Sequence, residues 1–262
     1  MKNTTASPGE APSIVYSVTG KDGPWIATAI NGAAAGDVPK SIDVVGQYLV
    51  VTFDDAAAGG YFWAEINRIT GKPGTFTKET TGFVSGSAPQ DVFVQSAREV
   101  WFAGDGGYIY KSDNIQSGVS VIDAGDTTTD KLQRIHGLDE VLVATGENGT
   151  VVYSVNRGQS WQVVTEAPPA LNIDALWVAD DYTWFIGDDS GDVYYTTTRG
   201  ESAWVDLGMP SSAAAIQDIV FATPEVGFIA YTESGPVAKI RATYDGGRNW
   251  TTTSPRILNL PT

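Results

Sequence analysis

The stretch "GENGTVVYSVNRGQSWQVV", residues 146–164, reads as a β-hairpin. An apolar strand runs from Thr150 to Tyr153, a tight turn follows, and a second strand opens on Trp161. The turn has the form S-x-D/N-x-G-x-S/T-W, carried by Ser154, Asn156, Gly158, Ser160 and Trp161. Near the C-terminus "TYDGGRNW" has the same form, with Thr243, Asp245, Gly247 and Trp250. Asn or Asp at the third place accepts hydrogen bonds from nearby backbone N–H groups. Gly relaxes the following turn, and Trp buries a large area that fixes the next strand against the hairpin.

Working outward, the same turn recurs with starts near Ser17, Ala64, Lys111, Ser154, Thr196 and Thr243, spaced by 47, 47, 43, 42 and 47 residues. Several copies are degenerate. "TTTRGESAW" puts Thr198 in the Asp position and carries one extra residue before Trp204. "KSDNIQSGV" keeps Asp113 and has Val119 for the Trp, and "AEINRITGKPGTF" is barely recognisable. A second landmark keeps the same phase. A short strand with an acid near its start precedes each hairpin: "SIDVVG", "PQDVFV", "NIDALWV" and "IQDIVF", with Asp43, Asp91, Asp174 and Asp218. In the third repeat, "LQRIHG", Arg134 takes that place.

A period of 40–50 residues with several short strands per unit is the pattern of a propeller. The expected fold is all-β, with four-stranded antiparallel blades. In the second full unit the strands are expected at Asp91–Gln95, Val100–Ala103, Tyr108–Lys111 and Val119–Ile122. They are called inner, second, third and outer below. Five complete units run from about Ser41 to Ser254. Before them, "SIVYSV" and "WIATAI" read as a third and an outer strand; after them, "PRILNL" could supply an inner strand. The expected ring therefore has six blades, the last closed by N- and C-terminal strands, with five or seven as alternatives. Residues 1–13 read as a flexible polar arm and 14–262 as a single propeller domain.

The units "VWFAGDGGYIYKSD" and "VLVATGENGTVVYSVNRGQSW" resemble the Asp-box (BNR) repeats of β-propellers. They resemble most the group named for photosystem II assembly and stability factors, whose repeats occur in many bacterial and phage proteins. The resemblance covers about Ile14 to Thr253. It implies that the Asp-box residues are structural: Ser154, Asn156, Gly158 and Trp161 in one copy, Asp245, Gly247 and Trp250 in another. It also raises the sialidases, enzymes that carry Asp-boxes. Their arginine motif "RIP" is not matched early in the chain; "SPRIL" at 254–258 lies at the other end and lacks the Pro. Arg157, Arg199 and Arg248 sit within the turns and point to the outer rim, so few arginines remain for a central site. A sialidase is not expected. A glycosidase, which needs only two suitably spaced carboxylates, stays open because 31 acids supply many pairs.

Composition narrows the function classes further. Sixteen basic and 31 acidic residues give a net charge of −15. Such a surface repels nucleic-acid phosphates and anionic membranes. The chain has no Cys, which removes disulfides, zinc–thiolate sites and thiol nucleophiles, and its single His, His136, argues against a His-rich metal site. No apolar run has the length of a membrane span, and "MKNTTASPGEAPS" lacks the apolar centre of a signal peptide. The expected location is a cytoplasm or a virion.

The expected site follows from strand order. Inner strands begin on the face opposite the Asp-boxes, so Asp43, Asp91, Asp174 and Asp218 would ring a channel mouth. Acids of the second-to-third turns, Asp105, Glu147 and Asp188 among them, would lie around it. Such a ring suits backbone capping, or a site for a cation or a basic segment; no calcium-type loop supports a defined metal site, and no cofactor is expected. Aromatics such as Tyr61, Phe62, Tyr194 and Tyr195 would be exposed in a glycan-binding propeller. The expected function is a non-enzymatic protein-interaction or structural module, part of a large assembly such as a phage virion. The alternatives are an assembly factor for a membrane complex and a glycan-binding or glycan-cleaving propeller.

Overall fold

The computed structural model describes residues 12–17, 24–55, 57–169, 172–209, 213–233 and 237–251. Contacts divide the chain into two compact units, Met1–Lys131 and Leu132–Thr262. The arm expected at 1–13 lies outside the described residues as far as position 11.

In the first unit, β1 (Ser13–Tyr16) pairs antiparallel with β2 (Ile26–Ala29) in a two-stranded sheet. The first blade has four antiparallel strands in chain order: β3 (Val38–Val45), β4 (Tyr48–Asp54), β5 (Gly60–Glu65) and β6 (Thr77–Glu79). The second has β7 (Pro89–Ser96), β8 (Glu99–Gly104), β9 (Tyr108–Ser112) and β10 (Ser120–Ala124). In the second unit the third blade is β11 (Leu132–Leu138), β12 (Val141–Gly146), β13 (Val151–Ser154) and β14 (Gln162–Val163). The fourth is β15 (Ile173–Val178), β16 (Trp184–Asp188), β17 (Val193–Thr196) and β18 (Val205–Asp206). The fifth is β19 (Ala213–Phe221), β20 (Gly227–Glu233) and β21 (Val237–Thr243).

The blade count is therefore five among the described residues, not the expected six. Among the described residues β1 and β2 pair only with each other; "PRILNL", the strand expected to open their blade, lies outside the described residues. On the outer side of the fifth blade the described residues show one bridge, Ala242 to Thr251.

Packing explains why the second strands read so apolar. All six residues of β12 are buried, as are five of the seven in β4. Strands covered on both faces carry continuous apolar runs instead of strict alternation. In the first unit, Val50 and Tyr61 of the first blade pack with Val92, Phe102 and Tyr110 of the second. The Tyr61 and Phe102 ring centroids are 5.0 Å apart. In the second unit, Val143 and Tyr153 meet Leu176, Trp184 and Tyr194, while Phe185 and Val193 meet Ile216, Phe221 and Ile229. Each such side chain contributes roughly 1.5–3 kcal/mol on burial. This removes the aromatic platform expected for a glycan: Tyr61 and Phe62 are fully buried, Tyr194 is buried and Tyr195 is half-buried.

The second-to-third turns Asp105–Gly107 and Glu147–Gly149 each make one 3-10 turn, with Gly106 and Asn148 left-handed at φ 67° and 56°. Gly107, at φ 75°, is required by space as well: a Cβ there would lie 1.8 Å from the Thr128 carbonyl oxygen.

The third-to-outer turns of the third, fourth and fifth blades share one hydrogen-bond plan. In the third blade the Ser154 hydroxyl oxygen accepts from Gly158 N–H at 2.8 Å, and Asn156 Oδ1 accepts from Ser160 N–H at 3.0 Å. In the fourth blade Thr196 and Thr198 do the same for Gly200 and Ser202, at 3.1 and 3.2 Å. In the fifth, Thr243 and Asp245 do so for Gly247 and Asn249, both at 2.9 Å. The Asn249 side-chain amide, the Asn249 N–H and the Thr243 hydroxyl hold the Asp245 carboxyl down at about 2. In the second blade Ser112 takes the place of Ser154, so Asn114 is the equivalent of Asn156: its Oδ1 accepts from Gln116 N–H at 3.1 Å. The expectation that Asp113 fills that role is corrected. Asp113 points outward and pairs with Lys111 at 2.9 Å. In the first blade Asn67 Oδ1 accepts from both Ile69 and Thr70 N–H. The first copy, near Ser17, lies mostly outside the described residues.

The four later turns also share a backbone bond to the inner-to-second turn of the same blade. Ile115 donates to Ala97, Arg157 to Glu140, Arg199 to Tyr182 and Gly246 to Glu225, at 3.0, 2.9, 3.1 and 2.9 Å. No helix among the described residues is long and apolar enough to cross a membrane.

Candidate functional site

The acids singled out on the inner strands are best taken unit by unit. In the first unit, Asp43 sits mid-strand on β3 between the exposed Ile42 and Val44. Its Oδ1 accepts the Val44 N–H and its Oδ2 accepts the Val94 N–H of β7, each at 2.7 Å. One carboxylate thus joins the inner strands of two blades. Burial raises its pKa, the two backbone donors pull it back, and the nearby Asp91 charge raises it again. Asp91 is itself buried on β7, opposite Ala103. Asp105 pairs with Lys131 at 3.1 Å and accepts from Gln90 Nε2 at 3.3 Å.

In the second unit, Asp174 is half-buried on β15, and Asp218 is exposed on β19 with its Oδ1 on the Ile219 N–H at 2.9 Å. Asp188 is buried and closes its own turn, accepting from Ser190 and Asp192 N–H at 3.1 and 2.8 Å. The nearby Asp188 and Asp206 charges, after burial, push the Asp192 carboxyl up. Glu147 opens the 3-10 turn, its carbonyl accepting from Thr150 N–H. Where the third repeat lacks an acid, Arg134 donates to its neighbour Gln133 O, and the link to the next blade passes to His136. His136 Nδ1 accepts the Val178 N–H of β15 at 3.2 Å, which assigns the proton to Nε2, and its ring lies 4.4 Å from that of Trp177. Burial lowers the His136 pKa to about 4.

The acids are therefore engaged largely with backbone N–H groups and a few cations. Among the described residues, no group of three or more His, Asp or Glu is placed to hold a metal ion. Two linking residues had no clear signal in the sequence. His136 stands two places after the missing acid. Asn172 bridges the third and fourth blades, accepting from Asn148 N–H at 3.3 Å and donating to Asp189 Oδ2 at 2.7 Å.

The turn residues separate into inward and outward sets. Ser154 and Thr243 are buried beneath their turns, while Trp250 packs edge-on against Phe221 at 5.9 Å. Trp204, reached after one extra residue, still anchors its turn by donating from Nε1 to the Glu166 carbonyl at 2.9 Å. Arg199 lies outward with its guanidinium 4.0 Å over the Tyr182 ring. Its Nε donates to the Asp181 carbonyl at 2.7 Å, and its Nη2 stands 3.8 Å from the Asp181 carboxylate.

No protein-family model matches the chain, and no curated protein matches it. Solved structures do. One, "YCF48 bound to D1 peptide", aligns with TM-score 0.64 at 12% identity, over 90% of this chain and 73% of that one. The RRP9 WD40 repeats align with TM-score 0.64 at 14% identity, over 92% and 73%. A GH74 xyloglucanase from Xanthomonas campestris aligns with TM-score 0.57 at 15% identity; it covers 78% of this chain, which spans only 36% of the enzyme. What these likenesses show is the fold: an all-β propeller of four-stranded antiparallel blades.

Proposed function

We propose that this chain is a non-enzymatic protein-interaction module, a rigid propeller that presents turns to a protein partner. The observation that carries this reading is the engagement of the acids. The carboxylates that would have to serve as general acid, base or cation ligand spend their oxygens on backbone N–H groups and on Lys131. Support by analogy comes from YCF48, whose solved structure is titled as bound to a peptide. We read the third-to-outer turns as Asp-boxes with a structural role, on the shared hydrogen-bond plan of Ser154, Thr196 and Thr243. Membership of a larger assembly is the narrower form of the reading; nothing in the structure favours a virion over any other assembly.

The test is capture from a lysate of the source cells with the tagged full chain, followed by mass spectrometry. The expected result is one or a few proteins retained in stoichiometric amount through salt washes. Failure to retain any partner, together with release of reducing sugar from a panel of β-glucans, would overturn the proposal in favour of a glycosidase.

One observation favours a second reading. The YCF48 likeness extends over nine-tenths of the chain, which suits an assembly factor acting on a membrane complex. A partner recovered from the detergent-solubilised membrane fraction, and absent from the soluble one, would select it.

A further inference from the structure

The second blade differs from its neighbours at one place on its surface. At the position of Arg157 and Arg199 it carries Ile115, which is fully buried. Beside that turn a groove of about 520 Å3 opens, bounded by Tyr48, Arg98, Asp113, Asn114 and Gln116. Ile115 forms part of its lining, and Tyr61 of the first blade stands close beneath, with its hydroxyl within reach of the Ile115 carbonyl at 3.2 Å and of the Ser117 carbonyl. The Ile115 N–H is tied to Ala97.

The polar groups of this groove have capacity to spare. Arg98 is exposed, and no acidic side chain among the described residues pairs with its guanidinium. Its backbone N–H is held by the Ser96 hydroxyl, which fixes the turn and leaves the side chain to the groove. Gln116 and Asn114 use a backbone N–H and an Oδ1 on each other, leaving both side-chain amide NH2 groups as donors. The one carboxylate present, Asp113, is already neutralised by Lys111.

The fourth blade shows what such a set of groups holds. There the guanidinium of Arg199 lies over the Tyr182 ring and faces the Asp181 carboxylate, all supplied by one blade. At the second blade, Arg98 and the first blade's Tyr48 line one groove, and its one carboxylate, Asp113, is spent on Lys111. The geometry points to this groove as a docking site for a carboxylate carried by a peptide segment of a protein partner. Arg98 supplies the charge-assisted hydrogen bonds, Tyr48 the phenol and ring, and Asn114 and Gln116 the flanking amide donors. This rests on the reading of the chain as a protein-interaction module. Acidic peptides are disfavoured at long range by the net charge of −15. At physiological salt, however, screening confines that repulsion to about 8 Å, and the carboxylate in the groove lining, Asp113, is already paired with Lys111.

The test uses the 15N-labelled full chain and three blocked or free tripeptides, read by NMR at the Arg98 Nε–H and the amides of 97, 114 and 116. Ac-Gly-Glu-Gly-NH2 carries a side-chain carboxylate, Ac-Gly-Gly-Gly-OH a terminal one, and Ac-Gly-Gln-Gly-NH2 none. The expected result is saturable shifts with Kd in the millimolar range for one or both carboxylate peptides, the stronger one naming the source. The Gln peptide gives none. Arg98→Gln, with unchanged circular dichroism and melting temperature, weakens binding about tenfold or more. Equal shifts from all three peptides, or none at Arg98, overturn the proposal. So does a captured partner that binds the wild type and Arg98→Gln alike, and that outcome leaves the interaction reading standing. Capture of no partner despite carboxylate-specific shifts at Arg98 supports the groove and counts against the reading beneath it.

Discussion

Acidification from pH 7.5 to 4 will cost the second unit about 3 kcal/mol through His136 alone. In the unfolded chain this imidazole takes a proton at its ordinary 6.5; in the fold, burial lowers that to about 4. The depression has a visible cause. Nδ1 is committed as acceptor to the Val178 N–H, and the ring packs against Trp177, so a second ring proton would turn an acceptor into a donor facing a donor. Between pH 6.5 and 4 the unfolded state binds more protons than the folded one, so stability rises with pH across that window. The contribution is complete above about 6.5 and is lost as pH falls toward 4. The roughly 300-fold difference in proton affinity corresponds to about 3 kcal/mol. Carboxylates titrate below pH 5 as well, so the effect is isolated by comparison with His136→Asn, which keeps an acceptor near Nδ1 and takes no proton. Urea unfolding at half-unit steps of pH should show the wild type gaining about 3 kcal/mol relative to the variant between pH 4 and 7.5. As the chain has one histidine, its Cε1–H resonance can be followed directly and should stay unmoved above about pH 5. A midpoint near 6.5, or parallel stability curves for the two proteins, would refute the reasoning.

Other perturbations separate strain from space and capping from chelation. Gly107 and Gly86 share a left-handed backbone, at φ 75° and 79°, but only Gly107 faces an obstacle. Gly86→Ala should cost about 1 kcal/mol, and Gly107→Ala about 3 kcal/mol or more, read as the shift in urea midpoint. Ser154→Ala strips the acceptor for Gly158 N–H beneath a buried turn and should cost about 1–3 kcal/mol, with the native spectrum retained. Asp43→Ala leaves the Val94 N–H of β7 without its acceptor and should lower the melting temperature. Adding calcium or a chelator should move the melting temperature of neither protein, and a calcium-dependent rise would mean that the inner acids hold a cation after all.

Much of the fold was legible because two landmarks kept phase. The turn around Ser154 and the acid of "SIDVVG" recur together, and their spacing located the strands of the second blade to within two or three residues. Roles within a turn were less legible, because one task can be met by several residue types. Asn114 takes the place of Asn156, though its Oδ1 accepts from the N–H two residues on instead of four, yet the adjacent Asp113 looked the better candidate; only the place of the Ser112 hydroxyl fixes the register. For the same reason the backbone link made by Asp43 in one blade is made by His136 in another, out of step by two residues. Aromatic exposure failed for a geometric cause. In strands buried on both faces, alternation no longer separates core from surface, so Tyr61 and Phe62 are both inside. The Arg98 groove could not be read at all, since its lining comes from three turns distant in sequence.

The backbone bond that ties each later third-to-outer turn to its own blade has a consequence for how this chain can change. Ile115, Arg157, Arg199 and Gly246 all donate the same N–H, and any residue but proline can. The attachment point therefore places almost no demand on the side chain that occupies it. One copy has turned that side chain inward, another has stacked an arginine on a tyrosine, and a third has no side chain at all. Anchoring and display are decoupled, so successive blades can diversify what they show to the outside while the scaffold beneath stays registered.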